Sequence, residues 1–187
     1  MLFTIKNLIL FFKKKRYQSL KDVSLFFILI LGFHFLFRLW AYRLNYKPFH
    51  EIVMSVYEFL TKLLFNNSIW TLKHFTNYEF VTHGRNIFIG IGAVGVHYGC
   101  SGLKPFLEWI VLMSFFPGPW KHKLWFIPSG LVIIHLVNIF RITGLSILLV
   151  YFPQHWKFAH DYIFRPLFYI VMFALWMLWV EKFKNFS

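Results

Sequence analysis

The chain has 187 residues, of which 58% are hydrophobic and only 14% are charged, and its formal net charge is +13. A soluble domain has about 25% charged residues, so this chain lacks the polar surface that would let water cover it on all sides. The basic residues flank apolar stretches and form no single stripe, which is typical of a membrane protein and argues against a nucleic-acid-binding surface. The length fits one domain, residues 1–187.

Apolar stretches of roughly membrane-spanning length predict an all-α integral membrane fold with four transmembrane helices. The first stretch follows a basic cluster, Lys13 to Arg16, as a signal peptide would. It is longer than the apolar core of a signal peptide, and no small-residue cleavage site follows it, so we expect a retained span. The predicted spans cover about residues 23–40, 102–116, 124–151 and 163–180.

Residues 50–65 have the pattern of an amphipathic helix. Apolar residues recur at three- and four-residue steps, while Glu51, Glu58 and Lys62 lie on the opposite face. Burying Glu58 and Lys62 in hydrocarbon is costly, so we predict that this helix lies in the membrane interface. A fifth span is the alternative.

The region 76–99 has a different periodicity and predicts a short hairpin. Residues 78–82 and 86–91 have the pattern of strands, and they are joined across His83-Gly84-Arg85. Further glycines then interrupt an apolar run that is too short to span a membrane. Such irregular backbone is tolerated at membrane depth only where it packs on protein or lines a wet cavity.

The basic residues also predict the orientation. They precede the first predicted span, lie between the second and third, and follow the fourth, so four spans place all three groups on one side. By the positive-inside rule this side is cytoplasmic, and both termini are expected there. The hairpin and the start of the second span are then on the outer side.

Cys100 is the single cysteine of the chain, so neither an intrachain disulfide nor a cysteine-based zinc cage can form. Ser101 and Gly102 follow it at the predicted start of the second span, where backbone N–H groups and the positive end of a helix favour a thiolate. This pattern predicts a candidate nucleophile. A small residue at a tight helix entry is the alternative.

Arg141 lies inside the third predicted span, about 15 Å from its outer end at helical rise. Arginine at such a depth is costly and is generally functional or paired. His135 and Asn138 precede it at three-residue steps, so one polar stripe crosses this helix. Arg141 is a candidate for stabilising a substrate oxyanion. Pairing with Glu108 in the second predicted span is a structural alternative, and both roles can coexist.

A thiol that attacks a carbonyl also needs a group that can protonate the leaving amine, and imidazole does so near neutral pH. His160, just before the fourth predicted span, is the first choice, although adjacent Asp161 is a poor candidate to orient it. His155 competes with it, and His135 and His97 are less favoured. A metal site built from histidines and the cysteine shows no standard ligand spacing, so we predict neither a metal nor a cofactor.

With these residues in view, the C-terminal two thirds of the chain resembles the exosortase/archaeosortase family of membrane transpeptidases. The resemblance rests on Cys-Ser-Gly at 100–102, on Val-Thr-His-Gly-Arg-Asn-Ile-Phe from residue 81, on Asn-Ile-Phe-Arg at 138–141, and on His160. It implies Cys100 as nucleophile with Arg141 and His160 as partners. The residues predicted to support the site or bind substrate are Ser101, Gly102, Glu108, Asn138 and His155.

The resemblance implies cleavage of exported proteins that end in a short motif, a transmembrane helix and a basic tail. Cys100 would form a thioester, which an acceptor (a glycan, a lipid or an amine) would resolve. Enclosure in the membrane limits hydrolysis and favours transfer. The implied location is the bacterial inner (cytoplasmic) membrane, as a multi-pass protein with its active site facing the periplasm or outside. The alternative is a non-enzymatic component of a polysaccharide or protein export system.

Overall fold

The computed structural model describes residues 2–183, with side chains described for residues 19–183. It is mostly helical with one small sheet, which confirms the predicted all-α membrane class. The regular elements are α1 (Leu2–Arg43), α2 (His50–Phe75), β1 (Phe80–His83), β2 (Asn86–Ile89), β3 (Gly92–Gly95), α3 (Leu103–Phe115), α4 (Trp120–Tyr151), α5 (Trp156–Phe158) and α6 (Arg165–Lys182). Short 3-10 turns at Tyr98–Cys100 and Pro153–His155 and a π-helical segment at Ala159–Phe164 connect them.

Three helical stretches among the described residues are long and apolar enough to cross a membrane: Ser19–Arg43, Trp120–Tyr151 and Pro153–Lys182. They contain the first, third and fourth predicted spans. The second predicted span corresponds to α3, which has 13 residues. At helical rise α3 is about 20 Å long, shorter than the roughly 30 Å of a hydrocarbon core.

Helix α2 extends ten residues beyond the predicted end of the amphipathic helix, to Phe75. The polar residues in its second half suggest, from the sequence, that the helix ends earlier. In the structure these residues pack against α4. Ser68 is fully buried, and Asn67 donates a hydrogen bond to His135 on α4, with 3.0 Å between the two nitrogens. Tertiary packing therefore continues the helix where its apolar periodicity weakens.

The hairpin region forms a three-stranded antiparallel sheet in the order β1-β2-β3. The predicted β1–β2 hairpin is present, with His83 paired to Asn86 across a two-residue turn. The sequence prediction missed β3, because its two glycines hide the strand pattern. Gly84 and Gly90 begin the two tight turns with φ values of +59° and +57°, a conformation that glycine adopts without steric cost.

The main core joins α1, α3, α4 and α6. Trp109, Met172 and Trp179 are fully buried in it. Helices α3 and α4 cross closely, since a Cβ atom at Gly130 would lie 2.2 Å from the indole nitrogen of Trp109. Helix α1 is much less enclosed, with only 11% of its most apolar window buried.

A second core lies between the sheet, α2 and the last turns of α4. Leu64 and Leu72 of α2 pack there with Ile87 and Val94 of the sheet and with Ile142 of α4. The sheet is thereby fixed to the end of α4 that holds Asn138 and Arg141. The chain leaves β3 from this packed position and enters the turn that contains Cys100.

Candidate active site around Cys100

The turn at Tyr98–Cys100 presents the cysteine between the sheet and α3. The Cys100 amide donates to the carbonyl of His97 at 2.8 Å, and Val96 before the turn is fully buried. Cys100 itself is half-buried, with no disulfide. The thiol is therefore held on a short, hydrogen-bonded turn anchored by the core under the sheet.

Ser101 and Gly102 complete the entry into α3. Ser101 is 1% exposed, and its hydroxyl accepts a hydrogen bond from the amide of Leu103 at 3.2 Å, which satisfies one of the free donors at the start of the helix. Gly102 has φ +87°, and a Cβ atom there would lie 2.9 Å from Nδ2 of Asn138. Glycine is required at 102 for both its conformation and its close contact.

Asn138 and Arg141 on α4 reach this turn. Asn138 Nδ2 donates to the Cys100 carbonyl oxygen at 2.8 Å, and Arg141 Nη2 donates to the same oxygen at 3.3 Å. The Arg141 guanidinium also interacts electrostatically with the Cys100 thiol. Its other face lies over the Phe168 ring, 5.4 Å from the centroid. The predicted meeting of Cys100 with the polar stripe of the third span is present in the structure.

Two buried polar atoms at this site have no hydrogen-bond partner: Oδ1 of Asn138 and Nε of Arg141. The first can only accept and the second can only donate a hydrogen bond. Asn138 is fully buried and Arg141 is 7% exposed. An unmet acceptor and an unmet donor in one site are complementary to the N–H and C=O groups of a peptide.

A cavity of about 340 Å³ holds these groups. Its lining includes Cys100, Asn138 and Arg141 together with Lys104 and Arg165. The carboxylate in its lining is that of Glu108, so cations predominate among the charged side chains around Cys100. An adjoining cleft of about 620 Å³, lined by α1, the start of α2 and α3, shares part of this wall.

Arg165 is a site residue that the sequence analysis did not single out. It lies in the first turn of α6, lines the cavity with Cys100, and is close enough to Arg141 for the two cations to repel. Its Nη1 atom pairs with Asp161 at 3.1 Å. A signal was present, because Arg165 and Asp161 are an i,i+4 pair at the entrance of an apolar span.

His160 lies in the π-helical segment and is not among the residues that line the Cys100 cavity. Its Nδ1 is 2.9 Å from Oδ1 of Asp161, and its ring stacks on Trp156 with 5.2 Å between centroids. The expectation that adjacent Asp161 would not orient His160 is therefore wrong. The π-helical turn changes the usual angular separation of neighbouring side chains and allows this contact.

Two other residues of the predicted site, His155 and Glu108, make contacts that the sequence did not predict. His155 is exposed in the turn after α4, where its ring contacts Phe152. Glu108 is 2% exposed and pairs with Lys104 at 3.2 Å, so the alternative pairing of Arg141 with Glu108 is not what the structure contains. Arg141 is thus directed to the cysteine turn.

Lys104 links three helices at the wall of the same cavity. Its Nζ lies 2.7 Å from Nδ1 of His34 on α1, 3.3 Å from the Tyr169 hydroxyl on α6 and 3.2 Å from Oε1 of Glu108 on α3. His34 and Lys104 line both the Cys100 cavity and the adjoining cleft. This cluster places a histidine in the cysteine cavity, and the sequence analysis did not identify it.

Contacts outside the membrane-spanning helices brace the cysteine turn from its other side. Arg85, in the β1–β2 turn, pairs with Glu58 of α2 at 2.6 Å and lies over the Tyr98 ring. The Tyr98 hydroxyl donates to the same carboxylate at 3.0 Å. Hydrogen bonds from Arg85 and Tyr98 hold the pKa of Glu58 below its ordinary value. These three side chains join α2, the sheet and the turn that carries Cys100.

Within the described part of the chain, no group of three or more histidine, cysteine or acidic side chains is arranged to hold a metal ion. The site thus consists of a lone cysteine, a buried arginine and a buried asparagine in a cavity among apolar helices. The family model for transmembrane exosortases matches residues 22–180. The match covers most of the chain and includes every residue of the cavity, so this protein belongs to the transmembrane exosortase family.

Searches of curated proteins and of solved structures found no match. The membership establishes a membrane protein with an exosortase-type function.

Proposed function

We propose that this protein is a membrane cysteine transpeptidase that cleaves exported proteins within a C-terminal sorting signal and transfers them to a surface acceptor. The observation that carries the proposal is the contact between Cys100 and Arg141 in one cavity. A buried arginine directed at a lone cysteine is costly in a membrane helix, and a catalytic ion pair accounts for that cost. Membership of the exosortase family supports the same chemistry.

In this mechanism the Cys100 thiolate, stabilised by Arg141, attacks the carbonyl carbon of the scissile peptide bond. The tetrahedral oxyanion forms next to the guanidinium, whose unpartnered Nε–H can donate to it. Oδ1 of Asn138 accepts the backbone N–H of the substrate and holds the bond in place. The C–N bond then breaks, the amine leaves with a proton, and a thioester remains on Cys100.

The second half of the reaction is attack of an acceptor nucleophile on the thioester, which releases Cys100. We propose that the acceptor is a glycan, a lipid or an amine at the cell surface. The substrate would carry a short motif, a transmembrane helix and a basic tail, with its scissile bond at the outer interface. The active site would then face the periplasm or outside of a bacterial inner membrane, with both termini of the enzyme in the cytoplasm.

His160 stays a predicted member of the catalytic group by resemblance. Its hydrogen bond to Asp161 leaves Nε2 free, and the Asp161–Arg165 pair connects it to the cavity wall. His160 is not among the residues that line the cysteine cavity.

The test is processing of an exported reporter in cells. The reporter carries, at its C-terminus, the motif, apolar helix and basic end of a protein encoded in the same genome. We expect Cys100→Ala and Cys100→Ser to abolish cleavage, and Arg141→Ala to lower its rate by about 10²–10³-fold, as the loss of an oxyanion donor does. Arg43→Ala, at the exposed end of α1, is the matched control.

All four variants are compared at equal levels in the membrane fraction. Normal cleavage by Cys100→Ala would rule out the cysteine mechanism. It would favour a non-enzymatic role in export, in which the polar stripe of α4 binds a partner.

A further inference from the structure

We propose that His34 is the group that protonates the leaving amine in this reaction, and that Lys104 in turn supplies a proton to His34. The inference rests on the proposed function and assigns one step of it to residues outside the cysteine–arginine pair. His34 lies on α1, whose sequence is an ordinary apolar span, and its side chain is 46% exposed at the wall of both cavities.

The first observation is position. Among the described histidines, His34 is the one that lines the cavity containing Cys100 and Arg141. His160 and His155 lie outside that lining, in the segments that lead into α6. A proton donor must come within hydrogen-bonding reach of the leaving nitrogen, or reach it through one water molecule. A side chain in the wall of this cavity opens onto the same space as the sulfur of Cys100.

The second observation is the hydrogen bond between Nζ of Lys104 and Nδ1 of His34, at 2.7 Å. A lysine ammonium can only donate, so Nδ1 accepts and the ring proton of neutral His34 is on Nε2. The imidazole therefore has a donor N–H on the side away from Lys104. Glu108 and Tyr169 contact the same Nζ and keep it in place.

These contacts define a relay in which each proton has a donor and an acceptor. As the C–N bond breaks, the leaving nitrogen takes the Nε2 proton of His34, and Nδ1 takes a proton from Lys104. His34 remains neutral with its proton on the other nitrogen, and Lys104 becomes a neutral amine. When an acceptor hydroxyl or amine attacks the thioester, its proton returns along the same path in reverse.

Charged side chains surround this relay. Arg38 lies on the same helix as His34 and acts on it electrostatically, as Lys104 does. Arg141 and Arg165 line the same cavity from α4 and α6, and Glu108 is the acid in that lining. The relay therefore lies among several cations, with one carboxylate in contact with Lys104.

The experiment compares two reactions of Cys100 that differ in the need for a proton. Cleavage of the reporter peptide bond requires protonation of the amine, whereas p-nitrophenyl butyrate has a leaving group that departs without it. We expect His34→Gln to lower reporter cleavage by about 10²–10⁴-fold, the usual range for general acid catalysis, and to leave the nitrophenol burst from purified enzyme within twofold of the original protein. Lys104→Gln is expected to show the same pattern with a smaller loss.

His74→Gln, at the exposed end of α2, is the control, and His160→Gln is measured alongside. The assignment is overturned if His34→Gln cleaves the reporter at the original rate. It is also overturned if both reactions fall equally, or if the amide-specific loss appears in His160→Gln and not in His34→Gln. Failure of the proposed function gives a different result, because Cys100→Ala would then still cleave the reporter.

Discussion

The carboxamide of Asn138 donates a hydrogen bond to the carbonyl oxygen of Cys100, 38 residues earlier in the chain, at 2.8 Å. The same nitrogen lies 2.9 Å from the position that a Cβ atom of residue 102 would occupy. One buried side chain on α4 therefore determines both the position of the cysteine turn and the residue type that follows it. Arg141, one turn further along α4, donates to the same carbonyl oxygen and interacts electrostatically with the cysteine side chain.

Replacement of Asn138 by leucine removes this donor and keeps a similar volume. A buried hydrogen bond to a neutral group contributes about 0.5–1.5 kcal/mol, so the turn loosens while the fold is retained. We expect reporter cleavage to fall by about tenfold or more and the rate of Cys100 alkylation by iodoacetamide to change. Leu136→Ala, at an exposed position of α4, is the control. Unchanged cleavage by Asn138→Leu would show that the asparagine is dispensable.

Gly102→Ala tests the conformation of the residue after Ser101. A side chain in the left-handed region costs about 1–2 kcal/mol, and the added Cβ also meets the carboxamide of Asn138. We expect reduced thermal stability in detergent and loss of reporter cleavage. Gly99→Ala is the matched control, because a Cβ atom there has no neighbour within 4 Å. Equal effects of the two substitutions would contradict this account.

Gly130→Ala tests the crossing of α3 and α4. The added Cβ atom would lie 2.2 Å from the indole nitrogen of the fully buried Trp109, so the helices must separate. Overpacking of this kind costs about 1–3 kcal/mol, and we expect a lower melting temperature of the purified protein. Gly32→Ala on α1 meets open space and is expected to leave the melting temperature unchanged. A melting temperature unaffected by Gly130→Ala would show that the two helices are not in this contact.

The Glu58–Arg85–Tyr98 group predicts a pH dependence. Because its hydrogen bonds lower the pKa of Glu58, they stabilise the fold above the ordinary glutamate value, and this contribution is lost as the pH falls through the lowered pKa. We expect the melting temperature of the original protein to drop more between pH 6 and about pH 3 than that of Glu58→Gln. Glu51→Gln, on the same helix, should behave as the original protein does. Parallel pH curves for Glu58→Gln and the original protein would exclude the contribution.

The apolar stretches of the sequence predicted the helices that cross the membrane, since hydropathy over about 20 residues is decided locally. The approach of Arg141 to Cys100 could also be predicted, because the alternation of spans brings the two residues to one side of the membrane. The third strand and the second half of α2 could not be predicted from the sequence. Both depend on packing against α4, and that contact leaves no periodic signal of its own in residues 66–75 or 92–95.

His34 was missed for a related reason. It lies in the middle of an apolar stretch, and its partner Lys104 is 70 residues away. Arg165 was missed because a cation at a span entrance has the usual appearance of an interfacial anchor. Only the assembled helices show that both side chains line the cysteine cavity. The short π-helical segment before α6, which turns His160 towards Asp161, likewise has no distinctive pattern of residues.

Helix α1 provides a wall of the cysteine cavity although just 11% of its most apolar window is buried. A helix with so few protein contacts takes its tilt largely from the surrounding lipid, and tilt responds to the thickness of the hydrocarbon layer. The distance between His34 and the rest of the cavity is therefore sensitive to the choice of bilayer. Enzyme reconstituted with short-chain and long-chain phospholipids should differ in turnover even where its folding is the same.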